Sequence, residues 1–207
     1  LIDTFAPVDG HARVELLRFR DEDLLDAVRS GAADLAIAPW SIRPTGLTAL
    51  TLASDVLVAA VPADSTFATS GPISPEDLYA ETFLTSDYRP SRGFEFHEFF
   101  LAADVVPTTV VQVQSLEMLL RLVGSGHGVT IQPSMVMTWN RPHRTVVVAP
   151  LAGRDITVQW MAISRTDSSD AVRAAADRIA KAFTAASERG EGSPERFNPK
   201  IAREPLA

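Results

Sequence analysis

Hydrophobic and polar positions along the chain follow two spacings, one typical of helices and one typical of buried strands. In residues 22–38 (EDLLDAVRSGAADLAIA), apolar residues recur at helical spacing up to Gly31, and the apolar run 34–38 follows. This order predicts a helix that ends at the glycine and then a parallel strand that is covered on both sides. Residues 13–19 predict a preceding strand, which would complete a right-handed strand–helix–strand unit.

The same alternation continues along the rest of the chain. Apolar runs predict further strands at 55–61, 82–85, 108–113, 129–132, 145–150 and 156–163. Helical spacing predicts further helices at 93–103, 115–123 and 169–187. The proline-rich stretch 62–75 indicates a connection between two lobes, and its Ser74-Pro75 pair predicts a helix start. We therefore expect an α/β fold of two Rossmann-like lobes, followed by a mobile tail at 188–207.

Composition and charge exclude several classes of function. The 207 residues carry a net charge of −7 and no cysteine, which argues against a nucleic-acid surface, a disulfide framework and thiolate chemistry. No apolar run is long enough to span a membrane, and the start LIDTFAPVDG lacks the features of a signal peptide. The four histidines do not have metal-ligand spacing. We expect a cytoplasmic protein without metal or cofactor.

The glycine-rich segment 124–128 (GSGHG) is the one stretch that suggests phosphate binding or an esterase-type serine. Both of those sites require a strand before the segment and a helix after it. Here the order is helix and then strand, so the segment predicts a turn that needs positive φ. His97-Glu98 has the residue types of an acid–base pair, but its setting among phenylalanines favours an ordinary polar helix face. We expect no catalytic residues.

Polar residues at the carboxyl ends of predicted strands are the candidate binding site. Gln114 and Ser115 close one strand and open a helix, whose first N–H groups and dipole would favour an anion. Ser115 as a simple cap of its own helix is the competing interpretation, and both roles can hold together.

Two further segments leave strands at matching edges. Pro39-Trp40-Ser41 follows strand 34–38, and the tryptophan would either stack on a ligand or plug the surface of its lobe; we favour the ligand. Thr85-Ser86 follows strand 82–85, where hydroxyl groups can bind a polar ligand.

Four segments, in their order and spacing, resemble the effector-binding domain of LysR-type transcriptional regulators. They are LLDAVRSGAADLAI at 24–37, VAAVPADSTF at 58–67, ISPEDLYAETF at 73–83 and SLEMLLRLVGSGHGVTIQP at 115–133. The resemblance covers about residues 1–187. It implies a fold like that of type II periplasmic binding proteins, with two lobes joined by a hinge of two strands near 58–64 and 146–160.

The resemblance also implies a function and a set of binding residues. Lobe I would comprise 1–62 plus 151–187, lobe II would comprise 72–150, and a small-molecule effector would bind between them. Residues that match the family's cleft positions are Pro39, Trp40, Ser41, Thr85, Ser86, Gln114, Ser115 and Pro133. Family members are usually homodimers or homotetramers.

The sequence departs from the family pattern in two ways. It contains no winged helix-turn-helix, so DNA would be bound only through an absent N-terminal domain, and it lacks the family's first lobe I strand. A solute-binding receptor of a transport system is the alternative with the same fold, and the sequence upstream of Leu1 would decide between the two. An enzyme on this fold would need a convergent acid, base or metal site, which the sequence does not show.

Overall fold

A computed structural model describes residues 14–17, 19, 21–40, 44–86, 93–140 and 144–188. Within these ranges the elements, in chain order, are α1 (Asp21–Ser30), β1 (Leu35–Trp40), β2 (Leu47–Pro62), β3 (Thr82–Thr85), β4 (Thr109–Gln112), α2 (Leu116–Gly124), β5 (Thr130–Pro133), α3 (Ser134–Asn140), β6 (Val146–Pro150), β7 (Thr157–Arg165) and α4 (Asp170–Glu188). The predicted α/β class is confirmed.

The chain divides into two compact units. Unit 1 contains the described residues up to Ser54 together with those from Gln159 onward, and unit 2 contains Asp55–Val158. Strands β2 and β7 each pass from one unit to the other, because the boundaries fall within them.

Unit 1 is held together by an antiparallel strand pair and two helices. Strand β1 pairs with β7 from Leu35 opposite Ser164 to Trp40 opposite Gln159. Helix α1 packs its buried Val28 against this pair, and α4 adds a ring contact between Phe183 and Trp160 at a centroid distance of 5.8 Å. The helix predicted at 169–187 is therefore confirmed, and it buries Ala176, Ile179 and Phe183.

Two predictions in unit 1 are wrong. Residues 14–17 and 19, the described part of the predicted strand 13–19, form no strand, and Leu16 is 71% exposed. Strand β1 is antiparallel to its partner rather than parallel, and it is not covered on both sides, because Ala36 is buried while Ile37 is only partly buried. A short apolar run indicates burial, but it does not specify the direction of the partner strand.

Unit 2 is built on strands of both directions. Strands β3 and β4 are parallel, and β5 continues from a parallel bridge between Phe83 and Val129. The second part of β2 pairs antiparallel with β5 and with β6. The three parallel strands therefore end at the same edge of unit 2, which we call the carboxyl edge.

Two apolar cores cover the faces of these strands. One core contains Phe83 and Phe100, whose rings meet edge to face at 4.9 Å. The other contains Leu84 and the inward residues of α2, namely Leu119, Leu120 and Val123. The helix predicted at 115–123 is confirmed.

The helical predictions for unit 2 need three corrections. The start at Ser74-Pro75 leads only to one 3₁₀ turn, Glu76–Leu78. The predicted helix 93–103 is largely a π-helix, Phe96–Phe100, followed by a 3₁₀ turn. Helix α3 was not predicted at all. The predicted mobile tail 188–207 lies, apart from its first residue, outside the described residues.

Candidate functional site

The carboxyl edge of unit 2 brings two of the predicted binding segments together. Thr85, the last residue of β3, lies opposite Gln112, the last residue of β4. The backbone N–H of Val113 donates to the Thr85 carbonyl at 2.8 Å. Ser86 and Gln114 therefore leave neighbouring strand ends, and both are exposed.

Ser115 caps helix α2, which confirms one of the two roles predicted for it. Its backbone is extended (φ −95°, ψ 119°), and its hydroxyl accepts a hydrogen bond from the N–H of Met118 at 3.4 Å. Ser115 itself is exposed. The first N–H groups of α2 and the positive end of its dipole thus begin at a solvent-accessible residue on the carboxyl edge.

Thr85 differs from its neighbour Ser86, because its side chain is turned into the protein. Thr85 is 1% exposed, and its hydroxyl donates to the Glu95 carboxylate at 3.3 Å. Alternation along β3 places Thr85 on the same face as Phe83. Thr85 is therefore placed to support the carboxyl edge from inside the protein, whereas the hydroxyl group of Ser86 is accessible to solvent.

Pro133 ends β5 at the same edge and is partly buried opposite Leu57. Helix α3 starts at the next residue, but its first turn is closed by the protein itself. The carboxylate of Asp55 accepts from Ser134 Oγ at 2.6 Å and from the Met135 N–H at 3.1 Å. Asp55 is 3% exposed, so a protein carboxylate occupies the place where an external anion would otherwise bind.

Sequence reasoning missed Asp55 as the residue that holds the start of α3. Its local signal is an acidic residue at the start of the apolar run 55–61, which is unusual because carboxylates are rarely buried without partners. The partners at Ser134 and Met135 are 79 and 80 positions away, so local patterning could not supply them.

Two polar residues of β5 also escaped sequence reasoning. Thr130 is fully buried, Gln132 is partly buried, and the Gln132 amide donates from Nε2 to Thr130 Oγ1 at 3.2 Å. The only sequence signal is that TIQP places two polar residues at strand spacing within a buried strand.

The remaining predicted residues belong to unit 1. Pro39 is exposed and lies opposite Trp160 in the β1–β7 pair. The backbone of Trp40 ends β1 opposite Gln159, while its side chain lies outside the described part of the structure, as does all of Ser41. The structure thus places Pro39 and the Trp40 backbone together at one strand end.

The glycine-rich segment forms a turn, as predicted. Gly126 has φ +75°, and its N–H donates to the Val123 carbonyl at 2.9 Å. The segment follows α2 and precedes β5, which is the wrong order for a phosphate loop.

The described ranges contain no group of three or more histidine and acidic side chains placed to hold a metal ion. In the same ranges, no helix combines the length and apolar character needed to cross a lipid bilayer.

Comparison with solved structures identifies the fold. The regulatory domain of MetR, a LysR family regulator from N. meningitidis, aligns with a TM-score of 0.67 at 18% identity, over 79% of this chain and 76% of that one. The effector binding domain of a BenM variant aligns with a TM-score of 0.68 at 19% identity, over 85% and 82% of the two chains.

An OxyR mutant from Corynebacterium glutamicum aligns with a TM-score of 0.68 at 20% identity. That alignment covers 87% of this chain but 57% of the OxyR chain. No curated protein sequence is significantly similar to the chain.

The sequence itself assigns the family. The model of the LysR substrate binding domain matches residues 1–184, which is most of the chain. This assignment favours a regulatory ligand-sensing role over the transport receptor that the fold alone would allow. The chain belongs to the LysR substrate binding domain family.

Proposed function

We propose that this domain senses a small anionic effector that binds at the carboxyl edge of unit 2, at the start of helix α2. The observation that carries the proposal is the exposure of Ser115, the residue that caps α2. Unsatisfied N–H groups and the helix dipole together favour a carboxylate or an inorganic anion at such a position. The neighbouring start of α3 already holds the carboxylate of Asp55, so it is not available for the same purpose.

The other predicted residues have separate roles in the proposal. Ser86 and Gln114 are exposed beside Ser115 and would bind the polar part of the effector. Thr85 and Pro133 would position this edge, because Thr85 is buried against Glu95 and Pro133 is partly buried. Pro39, Trp40 and Ser41 of unit 1 are proposed separately as binding residues, with Trp40 stacking on an aromatic ligand.

Effector binding would act on transcription through population shift. A ligand changes a conformational balance only through its unequal affinity for the two states, and about 1.4 kcal/mol of difference shifts the balance tenfold. A few hydrogen bonds at Ser115 and its neighbours suffice for such a difference. DNA would be bound by a helix-turn-helix domain in another part of the protein, and the regulator would work in the cytoplasm as a homodimer or homotetramer.

The anion site is tested with acetate, benzoate, succinate, sulfate and phosphate as probes, by calorimetry and thermal shift. Ser115→Asp keeps a side-chain cap on α2 but adds a carboxylate at its start. We expect this variant to fold normally and to bind the anion that the wild type binds at least tenfold more weakly. Ser125→Ala changes another exposed serine, at the opposite end of α2, and should leave affinity unchanged.

The proposal fails if Ser115→Asp binds every probe as the wild type does, or if none of the five anions binds the wild type. Trp40→Ala tests unit 1 separately. We expect this substitution to weaken the binding of benzoate more than the binding of acetate, because only the aromatic probe can stack on the indole ring.

Oligomeric state is tested by sedimentation of the purified domain. A concentration-dependent dimer supports the assembly proposed here, and a monomer throughout the micromolar range contradicts it for this domain.

A further inference from the structure

Strand β5 places two polar side chains on an otherwise apolar face of unit 2. Thr130 lies opposite Ala60 and Gln132 lies opposite Val58 in the antiparallel pair of β5 and β2. Directly opposed residues share a face of the sheet. Ala60 and Val58 both belong to the core that includes the inward side of α2. Thr130 and Gln132 therefore project to the same face as α2.

The solvent exposure of these two side chains increases toward the carboxyl edge. Thr130 is fully buried, whereas Gln132, two residues nearer to the end of the strand, is partly exposed. Its Nε2 atom is held by Thr130 Oγ1 at 3.2 Å. Within the part of the chain that the structure describes, no donor reaches its Oε1 atom. Among the described residues, the amide thus donates to Thr130 and has one acceptor atom without a protein partner.

A purely structural role does not require this arrangement. Polar groups beside an apolar core cost free energy unless they are hydrogen-bonded, and an apolar pair at these two positions would avoid that cost. Gln132 satisfies its donor internally, and it lies next to the end of β5, on the face of the sheet that α2 covers. An acceptor at this place can select a ligand that carries a hydrogen-bond donor.

We propose that Gln132 selects effectors that carry a hydroxyl or ammonium group next to their carboxylate. The effector class would then be a hydroxy acid or an amino acid rather than a plain carboxylic acid. This inference rests on the proposed function, since the carboxylate would be bound at the start of α2. The donor group of the effector would meet Gln132 Oε1, and Thr130 would fix the amide in the orientation that presents this atom.

The test uses two series of acids that differ only at the carbon next to one carboxylate. They are succinate, malate and aspartate, and 3-phenylpropionate, 3-phenyllactate and phenylalanine. We expect the wild type to bind the hydroxy or amino member of at least one series fivefold or more tightly than the unsubstituted member. Gln132→Met, which removes the amide at similar length, should reduce that preference to less than twofold.

Gln132→Glu is the second variant, and it keeps an acceptor at the same place while adding negative charge. We expect Gln132→Glu still to bind the amino acid of a series more tightly than the unsubstituted acid, because the ammonium group compensates the added negative charge. We expect the preference for the hydroxy acid to be lost, because a hydroxyl group cannot compensate that charge. A merely structural residue would change the unfolding midpoint but not the ratio of affinities within a series.

The outcomes separate the two proposals. If the wild type binds the unsubstituted acids as tightly as the substituted ones, or if Gln132→Met keeps the preference, the inference is wrong while the anion site stands. If Ser115→Asp weakens all members of a series equally and Gln132→Met removes the preference within the series, both proposals are supported. If no acid of either series binds, the inference is overturned, and the inorganic probes decide separately on the anion site.

Discussion

Asp55 and Ser134 are joined by a hydrogen bond of 2.6 Å across 79 positions of sequence. Asp55 is the first residue of unit 2 on strand β2, and Ser134 is the first residue of helix α3. The same carboxylate also accepts from the Met135 N–H. It therefore fixes the start of α3 to the strand that passes between the two units of the chain.

Asp55→Ala should destabilise the domain by roughly 2–4 kcal/mol, because it leaves two donors at the start of α3 without their acceptor in a buried place. Asp55→Asn keeps one oxygen acceptor, so its free energy of unfolding should fall by about half as much. Urea unfolding followed by far-UV circular dichroism measures both values.

Asp77→Ala is the matched control for Asp55. Asp77 also accepts a backbone N–H, that of Ser74 at 2.8 Å, but it is exposed and belongs only to a 3₁₀ turn. We expect a loss below about 1 kcal/mol, in the lower range for helix caps. Equal losses for the two aspartates would contradict the role assigned to Asp55.

Gly128→Ala should be strongly destabilising. A methyl group there would run into the carbonyl oxygen of Thr82, which accepts the Val129 N–H at 2.9 Å and so joins β3 to the start of β5. The strands must separate or the turn must move, and we expect a loss of roughly 2 kcal/mol or more in urea unfolding.

Gly126→Ala provides the comparison within the same turn. Gly126 has φ +75°, and nothing lies within 4 Å of an added methyl group, so only the conformational cost of about 1–2 kcal/mol remains. If Gly126→Ala costs more than Gly128→Ala, the close approach to Thr82 does not determine the turn.

The elements that the sequence predicted well carry their signal locally. Helix α2 combines a serine cap with apolar residues at helical spacing, and α4 repeats an apolar stripe over 19 residues. Each of these patterns can be recognised without knowing what the helix packs against, because capping and amphipathicity depend on neighbours three or four positions away.

The failures share a dependence on distant residues. Helix α3 has only seven residues, and its start is fixed by Asp55, far away in sequence. The strand direction of β1 depends on β7, more than a hundred positions later. In the candidate site, Ser115 was found from its local cap, whereas Asp55 and Gln132 were missed because their significance comes from partners and faces that only the fold defines.

Phe100→Ala should remove much of the stability of unit 2. The Phe100 ring is fully buried and meets the rings of Phe83, Phe99 and Phe96 at centroid distances of 4.9, 5.1 and 5.5 Å. Truncation leaves a cavity at the centre of this cluster, with an expected cost of about 3–5 kcal/mol in urea unfolding.

Leu101→Ala changes the next residue, which is 41% exposed. The expected decrease in the free energy of unfolding is about 0.5 kcal/mol, as for other surface substitutions. Similar losses at both positions would mean that the aromatic cluster does not hold the π-helix against β3.

Arg165 connects the end of α1 to strand β7, and its replacement should loosen α1 selectively. Its Nη1 atom donates to the Val28 carbonyl at 3.2 Å, and its Nη2 atom donates to the Asp34 carboxylate at 3.4 Å. The carbonyl belongs to the last turn of α1, where it also accepts the Gly31 N–H at 3.2 Å and where a cation is favoured by the helix dipole. We expect Arg165→Met to cost roughly 1–2 kcal/mol and to speed hydrogen exchange of α1 amides more than that of α4 amides.

Asp34→Ala separates the Asp34 contact of Arg165 from its contact with the Val28 carbonyl, and it leaves in place the third contact, an ion pair with the exposed Asp167 at 3.6 Å. The Asp34 side chain is 73% exposed, so its ion pair is screened by solvent, and its loss should cost less than about 0.5 kcal/mol. If the carbonyl contact is the one that matters, Asp34→Ala leaves exchange in α1 unchanged and only Arg165→Met accelerates it. Equal acceleration by both variants would assign the stabilisation to the ion pair and refute the cap, because Asp34→Ala leaves the bond to Val28 in place.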